Sequence, residues 1–186
     1  MAATRHMSRR GPDEEGFFFD RYAALGHRRL SIIDLQTGRQ PIANEDRSIV
    51  VVFNGEIYNF KDLRKELEAK GHRFGTKTDT EVLVHLYEEE GFHFLERLNG
   101  AFAFIIYDSR RPALFFCRDR FGIKPLYYRV FGDCIAVASS LVALLELAEA
   151  HIDPSAVDDY FTYAVSYTHL RAHETRHDLV CRLLLE

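Results

Sequence analysis

The sequence predicts an α+β fold with antiparallel strands, and three observations carry that expectation. Strand-like apolar runs fall together at residues 101–107, 114–117 and 134–138, in a block rather than in strict alternation with helices. Two helical faces, from Phe60 and from Val82, lie next to one another before that block. A length of 186 residues with 47% hydrophobic and 28% charged residues suits one globular domain and is too apolar for intrinsic disorder.

The elements follow in chain order. Residues 1–16 carry no helix or strand pattern. The β-branched run Ile49-Val50-Val51-Val52-Phe53 reads as a strand ending in a turn at Asn54-Gly55. Asn59 is placed to cap a helix with Phe60, Leu63 and Leu67 on one face, ended by Gly71. Thr78-Asp79-Thr80-Glu81 fits a capping box, ahead of a helix carrying Val82, Leu83, Leu86 and Tyr87 and stopping at Gly91. The polar stretch from Asp108 to Pro112 has the size of a hairpin turn. Residues 141–147 read as a helix, and Asp153-Pro154 starts another with proline at its first position.

Composition narrows the function classes. Lys and Arg number 24 against 28 Asp and Glu, a formal net charge of −4, so nothing suggests a nucleic-acid binder or a polybasic membrane anchor. The apolar stretch 134–145 is shorter than the about 18 residues a membrane span needs. The N-terminal residues have no apolar signal core, and a cytoplasmic location is expected. Cys117, Cys134 and Cys181 are an odd count without metal-ligand spacing, so neither a disulfide framework nor a metal site is read. His169, His173 and His177 recur at i, i+4, i+8 near the C-terminus, but without a carboxylate or cysteine partner they are weak evidence for a metal. Residues 165–186 resemble a translated sequencing adapter and are assigned no function.

Four segments could carry chemistry: GHRRLSII at 26–33, NGEIYN at 54–59, TDTE at 78–81 and RDRFGIKPLYY at 118–128. Taken singly, each has a structural reading: Asn54-Gly55 as a turn, Arg29 as a surface residue, Asp79 as part of a helix cap. Functionally, an asparagine amide and a glycine N–H can form an oxyanion hole. A guanidinium and a carboxylate can together hold the α-carboxylate and α-ammonium of a free amino acid.

These segments in this order resemble the glutamine amidotransferase domain, class II with an N-terminal nucleophile, of glutamine-hydrolysing asparagine synthetases. The resemblance runs over residues 9–164, after a poorly patterned start at 1–8. It rests on RRGPDEEG, GHRRLSIIDL, QPIANE, FNGEIYN, TDTE and RDRFGIKPLYY. It implies a sandwich of antiparallel sheets flanked by helices, of N-terminal-nucleophile hydrolase type and incomplete at the N-terminus. It also implies a domain that hydrolyses glutamine to supply ammonia for ATP-dependent amidation of aspartate. Carried over by position, Arg29 would bind the glutamine α-carboxylate, with Leu30, Ser31, Ile32 and Ile33 shaping that wall. Asn54 and Gly55 would form the oxyanion hole, Glu56 would help hold the substrate, and Asp79 would bind its α-ammonium. No cofactor is expected in this domain. ATP and Mg belong to a synthetase domain absent from this chain, which is the implied partner in a parent enzyme that could be a homodimer.

The chain departs from the family at several points. Arg9 stands where the family has His, and Ala138-Ser139-Ser140-Leu141-Val142 stands where it reads ASExK. The family's nucleophile is an N-terminal cysteine whose own α-amine is the base, whereas Met1 here is followed by Ala2. Cys117 and Cys134 read as buried packing residues. The polypeptide is therefore expected to be inactive, with a sheet edge left open by the missing first strand. Two other readings stay open: a non-catalytic glutamine-binding or scaffold relative, and an amidotransferase of the same class with a different acceptor.

Overall fold

The structure, a computed structural model, describes residues 2–30, 38–147, 154–163 and 181–184. Its centre is a five-stranded sheet in the order β3-β4-β5-β6-β9, with β3 Ile42–Ala43, β4 Ile49–Ile57, β5 Gly100–Asp108, β6 Ala113–Arg118 and β9 Cys181–Leu184. Two hairpins form separate two-stranded sheets: β1 Glu14–Phe19 with β2 Ala24–Arg29, and β7 Tyr127–Phe131 with β8 Cys134–Ala138. Every strand pair among the described residues is antiparallel, so the α+β expectation holds.

The side-chain period of a strand sorts the central sheet into two cores. Ile49, Val51 and Phe53 of β4, with Phe102, Phe104 and Ile106 of β5, face helices α2 Phe60–Ala69 and α3 Glu81–Glu90 and the 3-10 helix Gly91–Arg97. Those elements supply Leu63, Leu67, Val82, Leu83, Leu86 and Phe94. The alternate residues Val50, Val52, Ile105 and Tyr107 pack on the opposite side against Leu25 and Phe18 of the first hairpin and Ile135 and Val137 of the second. With both faces covered, β4 has no polar side to show, so it reads in sequence as a continuous apolar run. Beyond the hairpins, α1 Ala2–Arg5 touches β2 and α4, and α4 Leu141–Leu145 packs on β7 and β8. Helix α5, Pro154–Tyr163, begins at the expected proline.

Several local expectations are corrected. Residues 1–16 are not patternless: they contain α1 and the start of β1. Asn54-Gly55 is not a turn. Strand β4 runs on to Ile57, with Asn54 opposite Ala103 and Gly55 opposite Phe102. Gly55 has φ +156°, and a Cβ there would lie 2.2 Å from the Ala101 carbonyl oxygen and 2.6 Å from the Phe102 Cα. The glycine is required by the close approach of β5, not by a reversal of the chain.

The capping box is also absent. Helix α3 starts two residues later, with Thr80 as N-cap and no side-chain capping bond. Glu81 instead accepts from the Gly75 and Thr76 amides, each at 2.7 Å, and so fastens the preceding loop. Asn59 takes the N-cap position of α2 as expected, its carbonyl accepting from the Asp62 and Leu63 amides, but its side chain makes no capping bond. Its side chain spans to the Arg97 carbonyl (2.8 Å) and the Asn99 amide (3.0 Å). Strand β6 is paired by β9, which lies within the segment read as a tail. His169, His173 and His177 lie outside the described residues.

Phe94 tests the helical-side core. Its ring is 0% exposed and lies 5.9 Å from that of Phe104 and 6.4 Å from that of Phe115. Phe94→Ala is expected to cost about 3–5 kcal/mol in urea unfolding. Phe121→Ala, at a 90% exposed position, should change stability by less than about 0.5 kcal/mol.

Candidate active site

The far ends of β2 and β4, the start of α3 and the loop after β6 converge on one cavity of about 440 Å³. That volume lies within the range of small-molecule sites. Of the expected site residues, Arg29, Leu30, Asn54, Gly55, Glu56 and Asp79 all line it. Ser31, Ile32 and Ile33 lie outside the described residues.

Arg29 is 8% exposed, and its Nη1 donates to Glu14 Oε2 across the hairpin at 2.8 Å. The RRGPDEEG segment fixes that strand from the other side. The Asp13 amide donates to the Arg29 carbonyl at 3.1 Å, and a Cβ on Gly11 would lie 2.4 Å from the Arg28 carbonyl carbon. Only glycine permits this approach. The pairing to Glu14 holds the guanidinium in one orientation, which sets its direction before any ligand arrives.

Asp79 is 6% exposed, and its Oδ2 accepts from the Ile57 amide at 2.9 Å. This bond ties the start of α3 to the end of β4. Burial raises the Asp79 pKa above the ordinary aspartate value, opposed by the hydrogen bond from Ile57. A buried carboxylate held this way gains by meeting a cation.

Asn54 lines the same cavity as these two charges. Its side-chain amide nitrogen is buried and has no hydrogen-bond partner in the protein. A buried amide donor left unpaired costs about 1–3 kcal/mol, so a donor kept in that state marks a place where an acceptor can bind. The strand beneath it is locked by side chains. Gln40 pairs with Phe53 as a strand would, accepting from its amide at 2.7 Å and donating to its carbonyl at 3.1 Å. His27 Nε2 lies 3.1 Å from the same carbonyl, and burial holds the His27 pKa down at about 4, so the ring is neutral at pH 7 and donates.

The RDRFGIKPLYY segment builds another wall. Asp119 accepts from the Phe121, Ile123 and Lys124 amides at 3.0–3.1 Å, and from the Phe102 amide at 3.3 Å. Against the opposing effect of burial, these bonds hold its carboxyl below the ordinary value. Arg118 closes the same loop through the Lys124 carbonyl at 2.7 Å and the Gly122 carbonyl. Lys124 and Leu126 are thereby placed on the cavity.

Sequence reasoning did not single out Glu14, His27, Gln40 or Asp119 for these roles. Each acts on a backbone or charge at least 13 residues away or through a loop geometry that spacing does not encode. Their only sequence signal is that they sit inside the quoted motifs.

Among the described residues no cysteine lines the cavity. Cys117 is buried in β6 and burial pushes its thiol up to about 12, so it is protonated and inert at neutral pH. Cys134, expected to be buried, is exposed at the β7–β8 turn.

A stability test follows from Asp119. A carboxyl held below its unfolded value stabilises the fold above that unfolded value, and the gain is lost as pH falls through the folded pKa. Asp119→Asn should therefore be less stable than the unaltered chain at pH 6, with the difference narrowing below about pH 4 in denaturant titrations.

Comparison with known proteins agrees with this geometry. The family model described as a glutamine amidotransferase domain matches residues 1–182. Asparagine synthetase [glutamine-hydrolyzing] 1 of Bacillus subtilis is 44% identical over 155 residues, covering 83% of this chain and 24% of that protein. The corresponding enzyme of Brassica oleracea is 46% identical over 127 residues, covering 68% of this chain and 21% of that protein. The chain thus spans about a quarter of the length of such relatives. Among solved structures, a glutamine phosphoribosylpyrophosphate amidotransferase from B. subtilis matches with a TM-score of 0.54 and 30% identity. That match covers 65% of this chain and 28% of the solved one. An allosteric regulatory enzyme of purine biosynthesis matches 65% of this chain and 28% of its own, at a TM-score of 0.56 and 29% identity. The solved relatives share the antiparallel α+β architecture of N-terminal-nucleophile amidotransferases, and the chain belongs to the glutamine amidotransferase domain family.

Proposed function

We propose that the cavity binds L-glutamine, and that the protein from which this domain comes uses glutamine as the nitrogen donor for ATP-dependent amidation of aspartate. The observation that carries the glutamine reading is the buried, unpartnered Asn54 amide, in a cavity that also holds Arg29 and Asp79. In this reading Arg29 takes the α-carboxylate, Asp79 takes the α-ammonium, and Glu56 and Leu30 border the bound amino acid. The carboxamide oxygen comes to Asn54 Nδ2 beside Gly55. When a nucleophile adds to the carboxamide carbon, negative charge develops on that oxygen, and a donor already in place stabilises it without reorganising. One such donor is worth about 10²–10³ in rate. The aspartate-amidating reading is supported by the identity to asparagine synthetases and by their greater length. ATP, Mg and the acceptor are assigned to that further region, and the setting is taken to be the cytoplasm.

Because no cysteine lines the described cavity, the 186-residue polypeptide is proposed to bind glutamine without hydrolysing it. Calorimetric titration with L-glutamine should give saturable binding, while ammonia release stays at the uncatalysed level. Enzyme-level ammonia release from the purified chain would overturn the second half of that statement.

Asp79→Asn offers a clean substitution, because an amide oxygen can still accept from Ile57 while the charge is gone. It should weaken glutamine binding at least about 10-fold, the equivalent of about 1.4 kcal/mol, with the fold intact. In an intact relative the same change should impair use of glutamine and spare use of free ammonia. Acidification gives an independent check. Below its raised pKa Asp79 is neutral and loses its hold on the ammonium, so affinity should begin to fall at a higher pH than an ordinary aspartate near 3.9 allows. Asp79→Asn should flatten that part of the profile.

A further inference from the structure

Apart from the residues that line the cavity, Glu45, His72, His85 and Glu88 bring four ligand atoms within 4.8 Å of one another. They come from three separate segments: the β3–β4 turn, the α2–α3 connection and α3 itself. His85 is 0% exposed, and neither of its ring nitrogens has a hydrogen-bond partner. Glu88 Oε2 is likewise buried and unpartnered. The nearest charged partners of these atoms stand 3.6–4.0 Å away, beyond hydrogen-bond distance, a gap that a bound ion would fill.

The orientation of the rings is specific. His72 Nε2 donates to Glu89 Oε1 at 3.1 Å, so Nδ1 is the nitrogen turned toward the cluster. That Nδ1 lies 3.9 Å from Glu45 Oε1 and 4.0 Å from Glu88 Oε2. His85 Nδ1 lies 3.6 Å from Glu45 Oε2, and its Nε2 lies 3.7 Å from Glu81 Oε1. Each imidazole thus turns one nitrogen to the cluster and the other to an outer carboxylate, the arrangement that orients metal-bound histidines. Ligand atoms around a tetrahedral zinc at 2.0–2.1 Å are separated by about 3.3–3.4 Å, so small side-chain rotations close the set.

We propose that these four side chains form a structural zinc site with two imidazole and two carboxylate ligands. Four protein ligands leave no open position for substrate, which assigns the ion a fastening role rather than a catalytic one. The two carboxylates balance the charge of the dication. The ion would clamp the β3–β4 turn and the α2–α3 connection onto α3, whose first turn follows Asp79. The site stands independently of the glutamine reading.

The test uses the full chain with His169, His173 and His177 changed to Gln, so that the C-terminal histidines cannot supply the signal. After treatment with chelator, titration with zinc chloride should show one equivalent bound and a raised melting temperature. Cobalt(II) should give the intense visible absorption of a tetrahedral ion. Glu45→Gln, at an exposed turn, should weaken zinc binding at least 10-fold, and His72→Gln at least 100-fold. Glu89→Gln, which meets the cluster only at the outer nitrogen of His72 and otherwise pairs with Lys70, should weaken it about 10–100-fold. His85→Gln should abolish binding, and Glu45→Gln reads the same site if that buried change prevents folding. Loss of zinc binding in the C-terminal triple variant, or unchanged affinity in both Glu45→Gln and His72→Gln, would overturn the proposal.

Discussion

The pairing of β4 with β5 is the constraint on which the rest of the molecule depends. Nine residues of each strand are in register, from Ile49 opposite Asp108 to Ile57 opposite Gly100. Both faces are covered, one by α2, α3 and the 3-10 helix, the other by two hairpins. A one-residue slip would exchange the two cores, so the register is held by packing on both sides. Gly55 lies within this pairing, where a side chain would strike the β5 backbone. The site is therefore built on a strand paired along its length, and the position of Asn54 beside Gly55 follows from the sheet rather than from a loop.

Around that strand, long-range side-chain bonds do the positioning. Gln40 and His27 hold Phe53 immediately before Asn54, and Asp79 holds Ile57 immediately after Glu56. Glu14 orients Arg29, and Asp119 shapes the loop that presents Lys124. Polar side chains that are bonded and buried permit little adjustment, so a charge of each sign and an unpaired amide meet the cavity in fixed positions. An α-amino acid with a side-chain carboxamide offers the complementary groups.

The sequence disclosed these features unevenly. β4, α2, β5, β6 and β8 were legible because continuous or periodic apolar runs report burial directly. The hairpin β1–β2 was not, since GFFF and ALGHRR have no alternation, and their burial depends on Tyr107 and Leu114 far along the chain. Strand β7 is largely exposed and carries no core pattern. The Asn54-Gly55 and TDTE signals were misread for one reason. Each has the composition of a local turn or cap, while the structure uses Gly55 for strand approach and Glu81 to hold residues 75 and 76. Six of the nine site residues meet in one cavity, a grouping that the ordered motifs conveyed and spacing alone did not. The His72 and His85 cluster went unread because its ligands come from three segments, with only His85 and Glu88 at helical spacing.

The central claim is that Asn54 awaits the carboxamide oxygen of a glutamine held between Arg29 and Asp79. A crystal structure of the chain with L-glutamine tests this most directly. The account predicts the carboxamide oxygen within about 3.2 Å of Asn54 Nδ2, with the α-carboxylate on Arg29 and the α-ammonium on Asp79. Glutamine bound with its carboxamide turned away from Asn54, or bound outside this cavity, would contradict it.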